Sequence, residues 1–485
     1  MKKIYPTELI DFLQCRHMAS LKKQGITGEE ILSEEVELLR QKGLEHEQHF
    51  LESLEGDVVK IDPDIPLDEQ KKLTCEAIES GADYIYQAYL ENERLAGYPD
   101  FLEKVPETST LGEYSYAILD TKLANRPTPA NAVQLIHYSE IVKEFQGGEL
   151  AKLEIVHGDG NRTLIEKQNY LDYYNELLNE YETFINGKEK TEPFPITHCK
   201  HCRYQSHCKS YWQENDHLAG VKNIKLGQVS SLNEGAIASI SALSSAKYSS
   251  SLNLPKSQFE HLKGQAESQL RSEILLRDSI AFLALQKVKS GGVLLTLFQN
   301  IQKENGASIF YIGLKTFPGE RFEEVFINDR DSERRAFERV ISFISRYIEK
   351  RPNSNVVVWS SAQIKTIHDL SNSHNICHDE VDNLIFNQKI LSLQALVRNA
   401  LYTPNESNSL QSLNKLFCED KTMIEKLEKS PQILKELFTS GGVENAESLI
   451  TERAKTELFS LEQLTKSFSA YEIDDFPVKL SLGDL

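Results

Sequence analysis

Between Gly81 and Lys122 the chain alternates short runs of β-branched and aromatic residues with turn chemistry, and this stretch sets what the surrounding sequence must build. GADYIYQAYL runs into a turn at ENER, LAGYPDFLEKV follows, and after a loop comes YSYAILDTKLA. The pattern predicts a strand, its hairpin partner and a third strand. Asp100 falls on the second strand and Asp120 on the third. Successive side chains of a strand point to opposite faces, so Asp120 and Lys122 project together while Thr121 points away. With Asp100 on the same face of the neighbouring strand, two carboxylates converge on one cation and an ammonium stands beside it. Oxygen ligands of this kind suit magnesium or manganese.

Helices are predicted on both sides of these strands. Upstream, residues 28–54 place Ile31, Val36, Leu39, Leu44 and Phe50 on a helical period and carry His46, with His49 as its local competitor. Downstream, Pro127 and Pro129 mark the start of a helix over 128–145. Gln134 and Tyr138 lie on it four residues apart, on one face. On physical grounds alone, His46 reads as a half-buried helix histidine, Tyr138 as a core residue and Asp100 as a turn aspartate after Pro99.

Taken in order, GYPDF, LDTKL and QLIHY resemble the RecB-like form of the PD-(D/E)XK superfamily across residues 1–215. More narrowly, the chain resembles RecB-like putative nucleases joined to a YprB-type ribonuclease H-like region. The resemblance implies an α/β fold with a restriction-endonuclease-like mixed sheet flanked by helices. It also implies metal-dependent hydrolysis of DNA, with exonuclease action on single-stranded ends. Asp100, Asp120 and His46 would hold Mg2+ or Mn2+, Lys122 would act beside them, and Gln134 and Tyr138 would position substrate.

A second constellation lies in PFPITHCKHCRYQSHCKSYW, where Cys199, Cys202 and Cys208 form a C-x2-C-x5-C group. Three thiolates leave one ligand missing, and Cys15, on a helix predicted for TELIDFLQCRHMASLKKQG, can supply it. This layout resembles the iron-sulfur centres of AddB-type nucleases and of CRISPR-associated RecB-like exonucleases, which implies a [4Fe-4S] cluster. Four thiolates serve tetrahedral zinc equally well, and His198, His201 and His207 stand nearby. Either centre would clamp the first helix to the end of its domain. Cys75 reads as a small core hydrophobe.

A chain of 485 residues is long enough for about three domains. The sequence divides into 1–215, the nuclease-like region; 216–255, a helical linker that is either helix-hairpin-helix-like or a Ser-rich spacer; 256–420, a second α/β region with ribonuclease H-like strands; and 421–485, acidic and helical. In the second α/β region Gln299, Asn300 and Gln302 stand where acidic metal ligands are expected near the first strand, so it reads as noncatalytic. Asp329, Asp331 and Glu333 suit a loop and a helix N-terminus. The formal charge of −19 excludes a surface that binds nucleic acid all over. It leaves room for a local basic groove, for which Lys200, His201, Arg203, His207 and Lys209 are candidates. No Walker-type loop encodes an ATP motor. Without a signal-like start or a long apolar run, the expected location is cytoplasmic, with no membrane partner. Expected partners are DNA, single-stranded or with free ends, and a helicase or other protein docking through the C-terminal region. The final SAYEIDDFPVKLSLGDL reads as a frayed terminus or such a docking tail. The alternative function is a catalytically silent nucleic-acid-binding scaffold or adaptor of a DNA-processing complex; a third reading is redox sensing through the cluster.

Overall fold

A computed structural model describes residues 3–29, 34–124, 126–148, 152–304, 306–319, 321–405, 407–417, 427, 430, 431, 433, 435 and 446–479. The chain divides into two compact units, Met1–Cys208 and Lys209–Leu485.

Unit 1 begins with α1 (Pro6–Gln14) and α2 (Arg16–Lys23). Pro6 sits in the first turn of α1, where its missing N–H costs nothing. The single helix expected here is broken at Cys15. That residue is extended (φ −159°, ψ 107°), and its Sγ accepts the Met18 N–H at 3.4 Å, capping α2. There follow α3 (Glu34–Ser53), β1 (Val58–Lys60), α4 (Leu67–Ser80), β2 (Tyr84–Tyr86), β3 (Leu90–Glu91), β4 (Ala96–Gly97), β5 (Phe101–Val105), β6 (Ser115–Lys122), α5 (Pro129–Gln146), β7 (Leu153–His157), β8 (Arg162–Leu164) and α6 (Leu171–Asn186). Gly81 ends α4 at φ 69°, a left-handed conformation that suits glycine. Thr128 starts α5 by accepting the Asn131 N–H.

Six strands form one mixed sheet in the order β1-β2-β5-β6-β7-β8. The β2–β5 and β5–β6 pairs are antiparallel, whereas β6 and β7 run parallel across the connection that contains α5. Alternation along β6 divides the core. Tyr116 and Ile118 pack with Leu9 and Phe12 of α1, Val133 and Ile136 of α5 and Tyr174 and Leu178 of α6. Ala117 and Leu119 pack with Leu51, Phe101 and Val156. The sheet is therefore covered on both faces, a general α/β arrangement. Two details differ from the sequence reading. Leu39 and Leu44 of α3 are 45% and 51% exposed, because the helix rests on the sheet only through its last turns, at Phe50, Leu51 and Leu54. Cys75 is exposed instead of buried, since α4 turns Thr74, Ala77 and Ile78 inward.

Helix α7 (Gln205–Glu214) crosses the boundary between the units. Unit 2 continues with α8 (Leu226–Glu234), α9 (Ile240–Ser245), α10 (Lys256–Arg271), β9 (Glu273–Leu276), α11 (Ser279–Gln286), β10 (Gly292–Glu304), β11 (Ala307–Phe317), β12 (Phe322–Phe326), α12 (Arg330–Lys350), β13 (Asn355–Val358), α13 (Ser361–His374), α14 (His378–Phe386), β14 (Ile390–Ser392), α15 (Leu393–Ala400), β15 (Leu401–Tyr402), α16 (Leu410–Phe417), α17 (Ala446–Ala470) and β16 (Val478–Lys479). Its main sheet has the order β12-β11-β10-β13-β14. The pairs are antiparallel from β12 to β10 and parallel from β10 to β14.

The stretch LIFNQKILSLQALVRNAL, with Leu and Ile at helical spacing, contains β14 and runs into β15, because Ile390 to Ser392 and Leu401 find strand partners. The C-terminal region is no appendage. Leu458, Leu461, Leu464 and Phe468 of α17 are fully buried in the same core as Phe282 and Leu294. β16 then pairs with β9 at Val478↔Ile274, so the expected frayed or docking tail is held in a sheet as far as Lys479. MIEKLEKSPQILKELF, apart from a few positions, and Gly441 with Gly442 lie outside the described residues. Among those described, no helix is long and apolar enough to cross a membrane.

In unit 2 the amides expected at metal-ligand positions serve packing. Gln299 donates to Thr366 Oγ1, and Asn300 donates to the Ala307 carbonyl at 3.0 Å; the side chain of Gln302 lies outside the described residues. Asp329 caps α12 by accepting the Ser332 N–H at 2.7 Å.

Candidate metal centres of unit 1

The antiparallel register of β5 and β6 decides the first site. Phe101 pairs with Leu119, and continuing that register by one residue sets Asp100 across from Asp120. Asp100 Oδ2 accepts from Thr121 through both backbone N–H (2.8 Å) and Oγ1 (3.1 Å), which fixes its carboxylate at the strand end. Asp120 is fully buried, and the half-buried Lys122 ammonium forms an ion pair with its Oδ2. The α5 pair closes the other side. Gln134 Nε2 lies 3.5 Å from Asp120 Oδ1 and donates to the Tyr138 hydroxyl at 3.2 Å. Gly97, in GYPDF, makes room for this pair, because a Cβ there would stand 2.4 Å from Tyr138 Cε1.

The α3 residue at the site is Glu47. Its Oε1 accepts from Tyr86 OH and Gln87 Nε2, both at 2.8 Å. Gln87 holds a left-handed backbone (φ 56°) while its N–H donates to the Asp100 carbonyl at 2.9 Å, a conformation uncommon outside glycine. His46, the ligand implied by resemblance, instead places Nε2 3.2 Å from the Val156 carbonyl of β7, and His49 is exposed. Sequence reading missed Glu47, although a signal was present. Glu47, Phe50, Leu51 and Leu54 follow the i, i+3, i+4, i+7 spacing of one helix face, and the three apolar members pack on the sheet.

The electrostatics follow from this crowding. Burial, then repulsion from Asp100, holds the Asp120 carboxyl well above its ordinary range, and Lys122 offsets only part of that. Glu47 is raised by burial and by Asp100. Burial pulls Lys122 down, but Asp120, Asp100 and Glu47 outweigh it, and its pKa is raised. Burial also raises Tyr86 and Tyr138, so both stay neutral hydroxyls. Three carboxylates therefore face one ammonium. Asp120 Oδ2 meets the Lys122 ammonium, and Oδ1 lies 3.5 Å from Gln134 Nε2. A buried carboxylate beside further carboxylates, with one ammonium to offset them, fits a hard divalent cation.

The second centre gathers residues far apart in sequence. Cys15, Cys199, Cys202 and Cys208 line one cavity together with His17, Met18, Phe194 and His198. Backbone amides point at two of the sulfurs, Met18 N–H at Cys15 and Ile196 N–H at Cys199, each at 3.4 Å. Burial pushes the Cys208 thiol up to about 12, with the neighbouring Cys199, Cys202 and Cys15 adding to it. Cys202 is raised by burial, and Cys199 and Cys15 raise it further. Four cysteines lining one cavity, with N–H donors at two of the sulfurs, fit a thiophilic cation or cluster, which would offset the repulsion among their thiolates. Among the described residues no three His, Cys, Asp or Glu side chains already stand at ligating distance from a common point. Both centres are thus gatherings of donors whose side chains would have to move to close on an ion.

No model of a known protein family matches the chain, and no curated protein matches it.

Proposed function

We propose that unit 1 is a divalent-metal-dependent DNA nuclease of the RecB-like PD-(D/E)XK kind, acting as an exonuclease on single-stranded ends. The observation that carries this reading is the fully buried Asp120 carboxylate, set across from Asp100 and ion-paired to Lys122. Asp100, Asp120 and Glu47 are the residues that would hold Mg2+ or Mn2+. When bound, the ion supplies Lewis acidity toward the scissile phosphate and the attacking water.

The chain's own groups do the rest. Lys122 keeps its proton because three carboxylates surround it, so it presents a fixed positive charge to the oxyanion that develops on phosphorus. Tyr138 and Gln134, joined by their hydrogen bond and held against the sheet, orient the strand and keep Asp120 in place. Glu47, held by Tyr86 and Gln87, adds negative charge on the α3 side and accepts donors there. The four cysteines would hold a [4Fe-4S] cluster, with zinc the alternative, and so tie the α1–α2 break at Cys15 to residues 199–208.

Anaerobically purified wild type and Lys122→Ala, with Asp120→Asn as a second variant, should be compared on end-labelled single- and double-stranded DNA with Mn2+ or Mg2+. Degradation by wild type alone, with both variants folded, supports the reading. Inert proteins that still bind DNA would replace it with the scaffold function.

A further inference from the structure

The two units differ sharply in charge. Unit 1 has 22 Lys and Arg against 38 Asp and Glu, whereas unit 2 has 32 against 35, so a cationic surface is far easier to build on unit 2. The richest element is α12. With Arg351 it carries seven cations against four carboxylates, and one of the four, Glu333, is buried against His374 Nε2 at 2.7 Å.

The cations on α12 are arranged with aromatic rings. Arg339, Phe343, Arg346, Tyr347 and Lys350 follow i, i+4, i+7, i+8, i+11 and so share one helix face. The apolar face, with Phe337, Ile341 and Ile344, is buried in the core of unit 2. Phe343 and Tyr347 are half-buried at the edge of that core, with ring centroids 6.0 Å apart. Arg321, just before β12, lies over the Phe343 ring at 4.9 Å, and Arg351 lies over Tyr347 at 4.5 Å. Glu323 accepts from Arg321 Nε at 2.9 Å and lies 3.6 Å from Arg339 Nη2, which orients both guanidinium groups. Arg346 is exposed, its Nε donating to the Ser342 carbonyl at 3.0 Å.

We propose that this arginine-aromatic strip binds single-stranded nucleic acid. Guanidinium planes and rings give sequence-tolerant stacking surfaces for bases, while exposed Arg and Lys track the phosphates. From Arg339 to Arg351 the strip is roughly 18 Å long at helical rise, enough for a few nucleotides. Neither a duplex, whose bases are already stacked, nor an anionic partner without bases would use the rings. The site lies wholly within unit 2 and does not depend on the catalytic reading of unit 1.

The test uses the full chain in EDTA, which silences metal-dependent cleavage, with fluorescein-labelled oligothymidylate read by fluorescence anisotropy. Wild type should bind at low salt and weaken as salt rises. Arg346→Glu and Tyr347→Leu, each with a wild-type melting profile by circular dichroism, should weaken binding about tenfold. Lys365→Glu, the same charge change at an exposed position of α13, should bind as wild type does. Binding that is absent in wild type, equally weakened by Lys365→Glu, unaffected by Tyr347→Leu, or stronger for duplex overturns the proposal. Failure of the nuclease assay with this pattern intact would leave the strip standing.

Discussion

Replacing Asp120 with Asn removes one of three carboxylates around Lys122 while keeping the shape of the side chain. Burial and Asp100 raise the folded-state pKa of Asp120 above its ordinary value. The folded state thus holds this proton more tightly than the unfolded chain does. Stability then falls as pH rises from the unfolded pKa through the folded one, and the whole cost is present above the folded pKa. Asp120→Asn lacks that titration, so without metal it should be at least as stable as wild type under those conditions. A divalent cation reverses the ranking, because it binds the folded wild type through the very carboxylates that repel one another. At a hundredfold excess over Kd it adds about 2.7 kcal/mol. A unit of 208 residues gains about 2–4 °C in Tm per kcal/mol, so the expected rise is about 5–11 °C. The variant should move by less than about 2 °C on the same scale. Differential scanning calorimetry of both proteins, in Mn2+ and in EDTA, reads this directly. An equal Mn2+ shift in the two proteins refutes the reasoning, as does a metal-insensitive wild type more stable than the variant at alkaline pH.

Further outcomes follow from the same contacts. Glu47→Gln should weaken Mn2+ binding by about tenfold in isothermal titration while His46→Gln leaves it near wild type; the reverse ranking would restore His46 as the α3 ligand. In metal-free protein at mildly alkaline pH, iodoacetamide should label the exposed Cys75 well before Cys208, whose thiol is pushed up to about 12. Peptide mass spectrometry gives the order, and equal rates would contradict the buried four-thiol arrangement. Burial lowers His137 to about 4, with Nε2 3.2 Å from the Ala96 carbonyl and Nδ1 3.1 Å from the Tyr174 hydroxyl. The unfolded chain binds this proton first, so the stability due to a neutral His137 is complete above the usual histidine pKa. It is lost as pH falls toward 4, by roughly 3 kcal/mol in total. Urea denaturation across this range should show a flatter profile for His137→Gln.

Locally encoded features were legible. Period-two alternation alone puts Asp120 and Lys122 on one face of β6, and in the structure they meet as an ion pair. The pair of residues on α5 follows from four-residue spacing, and Thr128, Pro129 and Gly81 mark helix ends through backbone chemistry that needs no tertiary context. The first helix was misread where a long-range partner intervened: Cys15 breaks it at the point where three distant cysteines approach. The α17 stripe, taken for an outlying region, is apolar because it completes the core of unit 2.

Composition and spacing by themselves determined the two donor sets, oxygen around 100–122 and sulfur at 15 and 199–208, because side-chain chemistry and local periodicity belong to short windows of chain. Which α3 residue faces the carboxylates and how Asp100 is brought across from Asp120 were decided only in three dimensions. Those outcomes depend on strand register and helix docking. Both are set by the free energy of burying residues many tens of positions apart, and no local period records that energy.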